Sequence, residues 1–120
     1  MAEPLCILVV DDQPRARKSL KALLSTWARV LEIREAGDGR EAVRLVEEFQ
    51  PDLVLIDVRM PEVDGLEATA QIKARWPHVR VVVLSMYVEH RDEALVAGAD
   101  AFVGKGEASE RLLDVLSAVM

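Results

Sequence analysis

The chain has 120 residues, of which 51% are hydrophobic and 30% are charged. This length suits one domain with a single hydrophobic core, and this balance is typical of a soluble globular protein rather than a disordered tail or a membrane protein. The formal charge of −6 argues against nucleic-acid binding by this chain, because phosphate contacts require clustered Lys and Arg.

The single cysteine, Cys6, excludes an internal disulfide, and its place in an apolar run predicts a packed side chain. No apolar run approaches the roughly 18 residues of a membrane span. The N-terminus lacks the basic start and cleavage site of a signal peptide. We therefore expect a cytoplasmic protein that does not contact a membrane.

The first half of the chain alternates apolar runs with amphipathic segments. Residues 5–10 form an apolar run of strand length, and Pro14 opens a predicted helix. Residues 30–35 alternate apolar with polar, which is typical of a half-exposed edge strand. The turn at 37–39 leads into a second predicted helix, which Pro51 ends. The apolar stripes are Ala16, Leu20, Leu23, Leu24 and Trp27 in the first helix and Ala42, Leu45, Val46 and Phe49 in the second.

The second half continues the alternation. Residues 53–56 and 81–84 are apolar runs that predict two strands, and residues 65–75 between them predict a helix. Residues 89–97 predict a short helix that ends at Gly98, a residue type favoured just past a helix C-terminus. The remaining elements are a brief strand at 101–103 and a closing helix marked by Leu112, Leu113, Leu116 and Val119.

Five strands that alternate with five helices predict an α/β fold in which a parallel sheet is covered on both faces. The continuous apolar strands agree, because strands buried on both faces have this composition. The sequence shows no internal repeat, low-complexity tract or linker, so residues 1–120 are predicted to form one domain.

Polar side chains follow the predicted strands, at the edge where open parallel sheets bind ligands. Each alone has an ordinary structural explanation as a helix cap, a turn residue, a strand-end hydroxyl or a solvated lysine. Their coincidence at one edge favours a functional site. The residues are Asp11 and Asp12 after the first strand, Asp57 after the third, Ser85 after the fourth and Lys105 shortly after the fifth.

The electrostatics of such a cluster predicts a cation. Two carboxylates about 4 Å apart repel by ~4 kcal/mol at an effective dielectric of ~20, and one lysine cannot balance three of them. Either one carboxylate is protonated or a cation is bound. Oxygen ligands without His or Cys suit Mg²⁺. A site with Mg²⁺, a lysine and a hydroxyl around an aspartate is suited to a phosphoryl group.

These residues resemble the receiver domain of two-component response regulators, and the resemblance covers the whole chain. Each motif alone is weak, whereas their order and spacing together are specific. The resemblance implies a flavodoxin-like, doubly wound, five-stranded parallel sheet of order 2-1-3-4-5 with five helices. The Lys105-Gly106 step also resembles the branch of nitrate-type transcriptional regulators. The motifs are Val9-Val-Asp-Asp12, Asp57-Val-Arg-Met-Pro61, Asp64-Gly65, Leu84-Ser85, Ala97-Gly-Ala-Asp100 and Phe102-Val-Gly-Lys105.

The resemblance implies that Asp57 is the phospho-acceptor, a nucleophile that takes a phosphoryl group from a sensor histidine kinase and forms an acyl phosphate. Mg²⁺ would be held by Asp12, Asp57 and the backbone carbonyl of Arg59, and Asp11 would act through water. Lys105 would pair with the phosphoryl oxygens.

The resemblance also implies a conformational switch. Ser85 would move to hydrogen-bond the phosphate, and Phe102 would turn inward into the vacated space. The domain would catalyse only its own phosphorylation and dephosphorylation. It would control transcription through a DNA-binding effector domain elsewhere in a longer protein, and phosphorylation would favour a homodimer through the face of the fourth and fifth helices.

Two alternative functions would use parts of the same set of residues. A phosphatase of the haloacid-dehalogenase type also uses a nucleophilic Asp and Mg²⁺, but it needs an acidic residue where this chain has Arg59, and the chain has no cap domain. A pseudo-receiver would bind partners without phosphorylation, against which the complete acidic set and Lys105 argue. The isolated His78 and His90 are interpreted as surface residues.

Overall fold

The computed structural model describes residues 3–107 and 109–120, and this part of the chain alternates strands with helices. The strands are β1 (Leu5–Val10), β2 (Val30–Ala36), β3 (Leu53–Asp57), β4 (Arg80–Ser85) and β5 (Ala101–Gly104). The helices are α1 (Pro14–Leu24), α2 (Gly39–Phe49), α3 (Gly65–Arg75), α4 (His90–Val96) and α5 (Ser109–Val119).

The strands form one parallel sheet in the order β2-β1-β3-β4-β5, which confirms the predicted flavodoxin-like fold. The chain adds β2 on one side of β1 and then crosses to β3, β4 and β5 on the other side. The direction of winding thus reverses between β1 and β3. In open parallel sheets this reversal leaves a crevice at the carboxyl ends of the strands.

Helices cover both faces of the sheet and produce two apolar layers. Successive strand residues point to opposite faces, so Leu8 and Val10 pack in one layer while Ile7 and Val9 pack in the other. The first layer includes buried residues of α2, α3 and α4, and the second includes Leu24 of α1 with Leu112 and Leu116 of α5. Burial on both faces is the reason that these strands are continuous apolar runs.

Side chains and backbone turns fix the helix ends. Asp38 and Asp64 accept hydrogen bonds from the backbone N–H groups of Glu41 and Glu67, which caps α2 and α3. At the end of α4, Gly98 has a φ of 104°. There the N–H groups of Gly98 and Ala99 donate to the carbonyls of Leu95 and Ala94, a turn that satisfies the last helical carbonyls.

The first helix is shorter in the structure than the apolar stripe that predicts it. The stripe predicts that Trp27 belongs to the first helix, but α1 ends at Leu24. The hydroxyls of Ser25 and Thr26 donate to the carbonyls of Lys21 and Leu23, and such local bonds compete with continued helix. Trp27 still packs against the layer under α1 and α5, so its apolar character reports burial and not helix length.

In the described part of the chain, every helix is too short or too polar to cross a bilayer.

Candidate functional site

The crevice at the carboxyl ends of β1 and β3 gathers three carboxylates. Val10 lies opposite Ile56 in the sheet, so the residues that follow on each strand emerge side by side. Asp11, Asp12 and Asp57 each offer an oxygen within 4.8 Å of the others. Asp11 is buried, Asp57 is partly buried and Asp12 is exposed, so the cluster is open to solvent on one side.

Asp11 is the buried anchor of the cluster. One carboxylate oxygen accepts a hydrogen bond from the backbone N–H of Gln13 at 2.9 Å, and the other accepts from the Lys105 ammonium at 2.9 Å. The side chain is 1% exposed. A buried carboxylate needs such partners, since an unpaired charge in the interior is strongly unfavourable. Asp11 therefore holds Lys105 in place.

Lys105 points its ammonium between two carboxylates. Nζ lies 3.3 Å from Oδ2 of Asp57, in addition to its bond with Asp11. Burial opposes the charged ammonium, but the hydrogen bond with Asp11 and the charge of Asp57 outweigh it and raise the pKa of Lys105. The lysine is thus fully charged at neutral pH.

Asp57 ends β3 at the centre of the crevice. Burial raises the pKa of its carboxyl, the Asp11 carboxylate adds to the rise, and the Lys105 ammonium opposes it. Oδ1 accepts a hydrogen bond from the backbone N–H of Val58 at 2.9 Å. The negative charge of the three carboxylates exceeds the positive charge of the Lys105 ammonium. The atoms that could bind a metal are all oxygens, so a hard divalent cation such as Mg²⁺ fits the cluster.

The loop between β5 and α5 fixes Lys105 from the other side. The backbone N–H of Lys105 donates to the carbonyl of Ser85 at 2.8 Å. One residue earlier, the N–H of Gly104 donates to the Glu107 carboxylate at 2.7 Å, and the Glu107 N–H donates back to the Gly104 carbonyl at 3.1 Å. This reciprocal pair closes the loop around the lysine.

Gly65 holds the loop that follows β3. Its N–H donates to the carbonyl of Val58 at 2.8 Å. A Cβ at position 65 would overlap the backbone carbonyl of Asp57, so only glycine fits here. The sequence shows Gly65 as part of a motif, but the close approach that requires it is a tertiary feature.

The cluster opens into a cleft of about 460 Å³. The Arg59 guanidinium lies over the ring of Tyr87, with 4.2 Å between its central carbon and the ring centroid. Met86 is 68% exposed at the rim. The cleft is lined by Asp12, Gln13, Asp57, Arg59, Ser85, Met86, Tyr87 and Lys105.

Ser85 has a partner that the sequence interpretation missed. Its hydroxyl lies 2.8 Å from Nδ1 of His90 and accepts a hydrogen bond from the N–H of Tyr87 at 3.0 Å. The interpretation of His90 as an isolated surface residue is therefore wrong, whereas His78 is exposed as predicted. The one sequence signal was the position of His90 five residues after the strand-end hydroxyl, and such spacing is unspecific.

Phe102 lies outside this cleft. It is half-buried on β5 and packs against the apolar layer under α3 and α4. The neighbouring Val103 points to the opposite layer. The structure thus brings the predicted acidic residues, Lys105 and Ser85 together, and places Phe102 beside the face that α4 covers.

The chain matches the family model described as the response regulator receiver domain over residues 7–117. The response regulator protein VraR of Staphylococcus aureus (strain Mu3 / ATCC 700698) is 34% identical over 112 residues, which are 92% of this chain and 54% of VraR. The chain thus spans about half the length of the curated relatives it matches.

Solved structures agree in fold and branch. The receiver domain of the putative response regulator NarL from Mycobacterium tuberculosis has a TM-score of 0.88 and 30% identity, with 98% of each chain covered. The response regulator TrrA from Thermotoga maritima, solved in complex with Mg²⁺-BeF, has a TM-score of 0.88 and 31% identity, with 96% of this chain and 98% of TrrA covered. The similarity to NarL supports the nitrate-regulator-like branch. The sequence match, the fold and the acidic crevice together show that this chain belongs to the receiver domains of two-component response regulators.

Proposed function

We propose that residues 1–120 act as one receiver unit, in which Asp57 accepts a phosphoryl group from a sensor histidine kinase in a Mg²⁺-dependent transfer. The observation that carries this proposal is the Asp57 carboxylate held 3.3 Å from the Lys105 ammonium. Both groups lie in an oxygen-lined crevice at the carboxyl ends of the strands. A nucleophile, a fixed cation and a set of metal ligands are the parts that phosphoryl transfer requires.

In the proposed reaction, an Asp57 carboxylate oxygen attacks the phosphorus of a phosphohistidine. The new O–P bond forms as the N–P bond breaks, and the imidazole of the kinase leaves with the electron pair and takes up a proton. Lys105 neutralises charge on the transferring oxygens, and its bond with Asp11 keeps it in position. The aspartate is then an acyl phosphate.

The donor set fits Mg²⁺, which would be held by Asp12, Asp57 and the backbone carbonyl of Arg59, with Asp11 acting through water. Bound there, the ion would neutralise part of the phosphoryl charge. The Mg²⁺-BeF complex of TrrA, a protein of the same fold, supports this assignment. Asp12 suits the role because its exposed carboxylate lines the cleft.

We further propose that Ser85 and Phe102 transmit the modification. A phosphoryl group brings about −1.5 to −2 charges and strong acceptor oxygens into the crevice. Ser85 would turn to donate to one of these oxygens, and Phe102 would move inward beside α4. The response would reach a DNA-binding effector domain in a longer protein and would favour a homodimer through the face of α4 and α5. The domain would meet its kinase in the cytoplasm and would have no separate substrate of its own.

Intact-mass spectrometry tests the proposal. With Mg²⁺ and acetyl phosphate, we expect one added phosphoryl group on the wild-type chain and none on Asp57→Asn. Asp114→Asn, which changes an exposed aspartate of α5, is the matched control and should accept the group like wild type. Wild type that stays unmodified, or Asp57→Asn that becomes modified, contradicts the proposal. An unmodified chain that still binds Mg²⁺ through Asp12 would instead indicate a pseudo-receiver.

A further inference from the structure

The hydroxyl of Ser85 is already engaged. Ser85 is 2% exposed. A serine hydroxyl has one proton to donate and two lone pairs to accept with. The Tyr87 N–H occupies one lone pair, and His90 Nδ1 lies 2.8 Å away along a second hydrogen bond. Both partners lie in the segment that runs from the end of β4 to the first residue of α4.

We propose that His90 is a positioning residue that holds Ser85 in the resting conformation, and that a phosphoryl group on Asp57 must break the Ser85–His90 hydrogen bond to recruit Ser85. This inference rests on the proposed function, and it identifies a hydrogen bond that competes with the proposed movement of Ser85. His90 does not touch the reacting atoms; it acts through the hydroxyl that does.

The protonation of Nδ1 decides how the Ser85–His90 bond competes with a phosphoryl oxygen for the hydroxyl. When Nδ1 is unprotonated, Ser85 donates its single proton to His90 and has none for a phosphoryl oxygen. When Nδ1 carries a proton, it donates to the second lone pair of the hydroxyl, so two donors, His90 and the Tyr87 N–H, then hold the Ser85 oxygen. In either tautomer, a turn of the Ser85 side chain that carries the oxygen beyond hydrogen-bond distance of Nδ1 breaks the bond with His90.

The same bond attaches the start of α4 to the sheet. His90 is the first residue of α4, and the preceding Glu89 gives no capping hydrogen bond to the described residues of the helix. Ala94 supplies the buried side chain that fixes α4. The ring of Tyr87 makes an edge contact with His90 at 5.7 Å between centroids. Loss of the Ser85–His90 bond would therefore remove one attachment of the N-terminal turn of α4 to β4, while the backbone N–H groups of His90 and Arg91 still donate to the carbonyls of Tyr87 and Val88.

Two substitutions separate the hydrogen bond from the ring. His90→Phe keeps an aromatic ring against Tyr87 but removes Nδ1. His90→Asn places an amide at about the position of Nδ1 and can restore the bond with Ser85. His78→Phe is the matched control, because His78 is exposed near Asp52 and Arg80, at the amino ends of the strands and away from the crevice.

The first measurement is the affinity for beryllium fluoride with Mg²⁺, a stable mimic of the phosphoryl group, by calorimetric titration. A single hydrogen bond sets the scale, so His90→Phe should bind roughly two- to tenfold more tightly than wild type. His90→Asn and His78→Phe should bind within about twofold of wild type. In a Ser85→Ala background, His90→Phe should change the affinity by less than about twofold, because the two residues act through one bond.

The second measurement needs no variant. In long-range ¹H–¹⁵N spectra of the wild-type chain, Mg²⁺ and beryllium fluoride should shift the Nδ1 resonance of His90 and leave that of His78 in place. An unshifted His90 overturns the inference, and so does an effect of His90→Phe that persists in the Ser85→Ala background. Failure of wild type to bind beryllium fluoride or to gain a phosphoryl group overturns the proposed function itself, so the two failures are distinguishable.

Discussion

At the scale of single residues, the crevice places Asp57 where its charge is unfavourable. The carboxylate is 14% exposed and faces Asp11, and these effects outweigh the attraction of Lys105 and raise the pKa of Asp57. A bound cation would offset the repulsion between the Asp11 and Asp57 carboxylates. The same feature that makes the charge of Asp57 unfavourable therefore favours binding of a cation.

Asp57→Asn should raise the stability of the metal-free protein at neutral pH. A carboxyl whose folded-state pKa is raised contributes stability below its unfolded pKa and loses it as pH rises through the folded pKa. The charged Asp57 is therefore destabilising near pH 7, by an amount on the order of 1 kcal/mol. Thermal unfolding in EDTA should show Tm higher by roughly 4 °C in the variant at neutral pH. The difference should shrink as pH falls toward about 4.

The exposed Asp114 provides the control, since Asp114→Asn should leave Tm within about 1 °C of wild type at every pH. A lower Tm in Asp57→Asn at neutral pH would show that attraction to Lys105, and not burial with Asp11, dominates the environment of the carboxyl.

At the scale of elements, the loop between β5 and α5 positions Lys105, and Glu107 closes it. Glu107→Ala leaves the N–H of Gly104 without this acceptor, whereas Glu107→Gln keeps a side-chain oxygen in place. The bond is partly solvated, so we expect Glu107→Ala to lower stability by only about 0.5 kcal/mol. A looser lysine should slow phosphorylation by acetyl phosphate roughly two- to fivefold. The rate of phosphoryl addition, followed by mass spectrometry, measures this.

The exposed Glu110 in the first turn of α5 is the neighbouring control. Glu110→Ala should leave the rate of phosphorylation unchanged. An equal loss of rate in Glu110→Ala, or none in Glu107→Ala, would contradict the assigned role of the loop.

The elements themselves were largely predictable, because the sheet is buried on both faces. Its strands are therefore continuous apolar runs, whereas the helices alternate apolar and polar residues. The predicted helix at 65–75 coincides with α3, and the strand predicted at 5–10 coincides with β1. The acidic crevice followed from placing residues at strand ends. His90 could not be predicted in this way, because its contact with Ser85 depends on how the chain turns between β4 and α4.

At the scale of the whole molecule, one local charge imbalance is coupled to the stability of the entire fold. Two of the carboxylates follow β1 and the third ends β3, and these strands are far apart in sequence, so only the folded chain brings all three groups within 4.8 Å. A cation that binds this cluster binds the unfolded chain weakly. By mass action it must therefore stabilise the native state.

Mg²⁺ should accordingly raise Tm of the wild-type domain through this single site. At ten times its Kd, the ion adds about 1.4 kcal/mol of stability, which corresponds to roughly 5 °C in a domain of this size. Asp12→Ala should abolish the shift, because Asp12 is the proposed exposed ligand and its loss leaves the core and the Asp11–Lys105 pair intact. Thermal unfolding with MgCl₂, matched for ionic strength with NaCl, separates the specific site from general screening of a chain with net charge −6. A Mg²⁺ shift that survives in Asp12→Ala would place the ion elsewhere, and no shift in wild type would contradict the proposed binding of Mg²⁺ in the crevice.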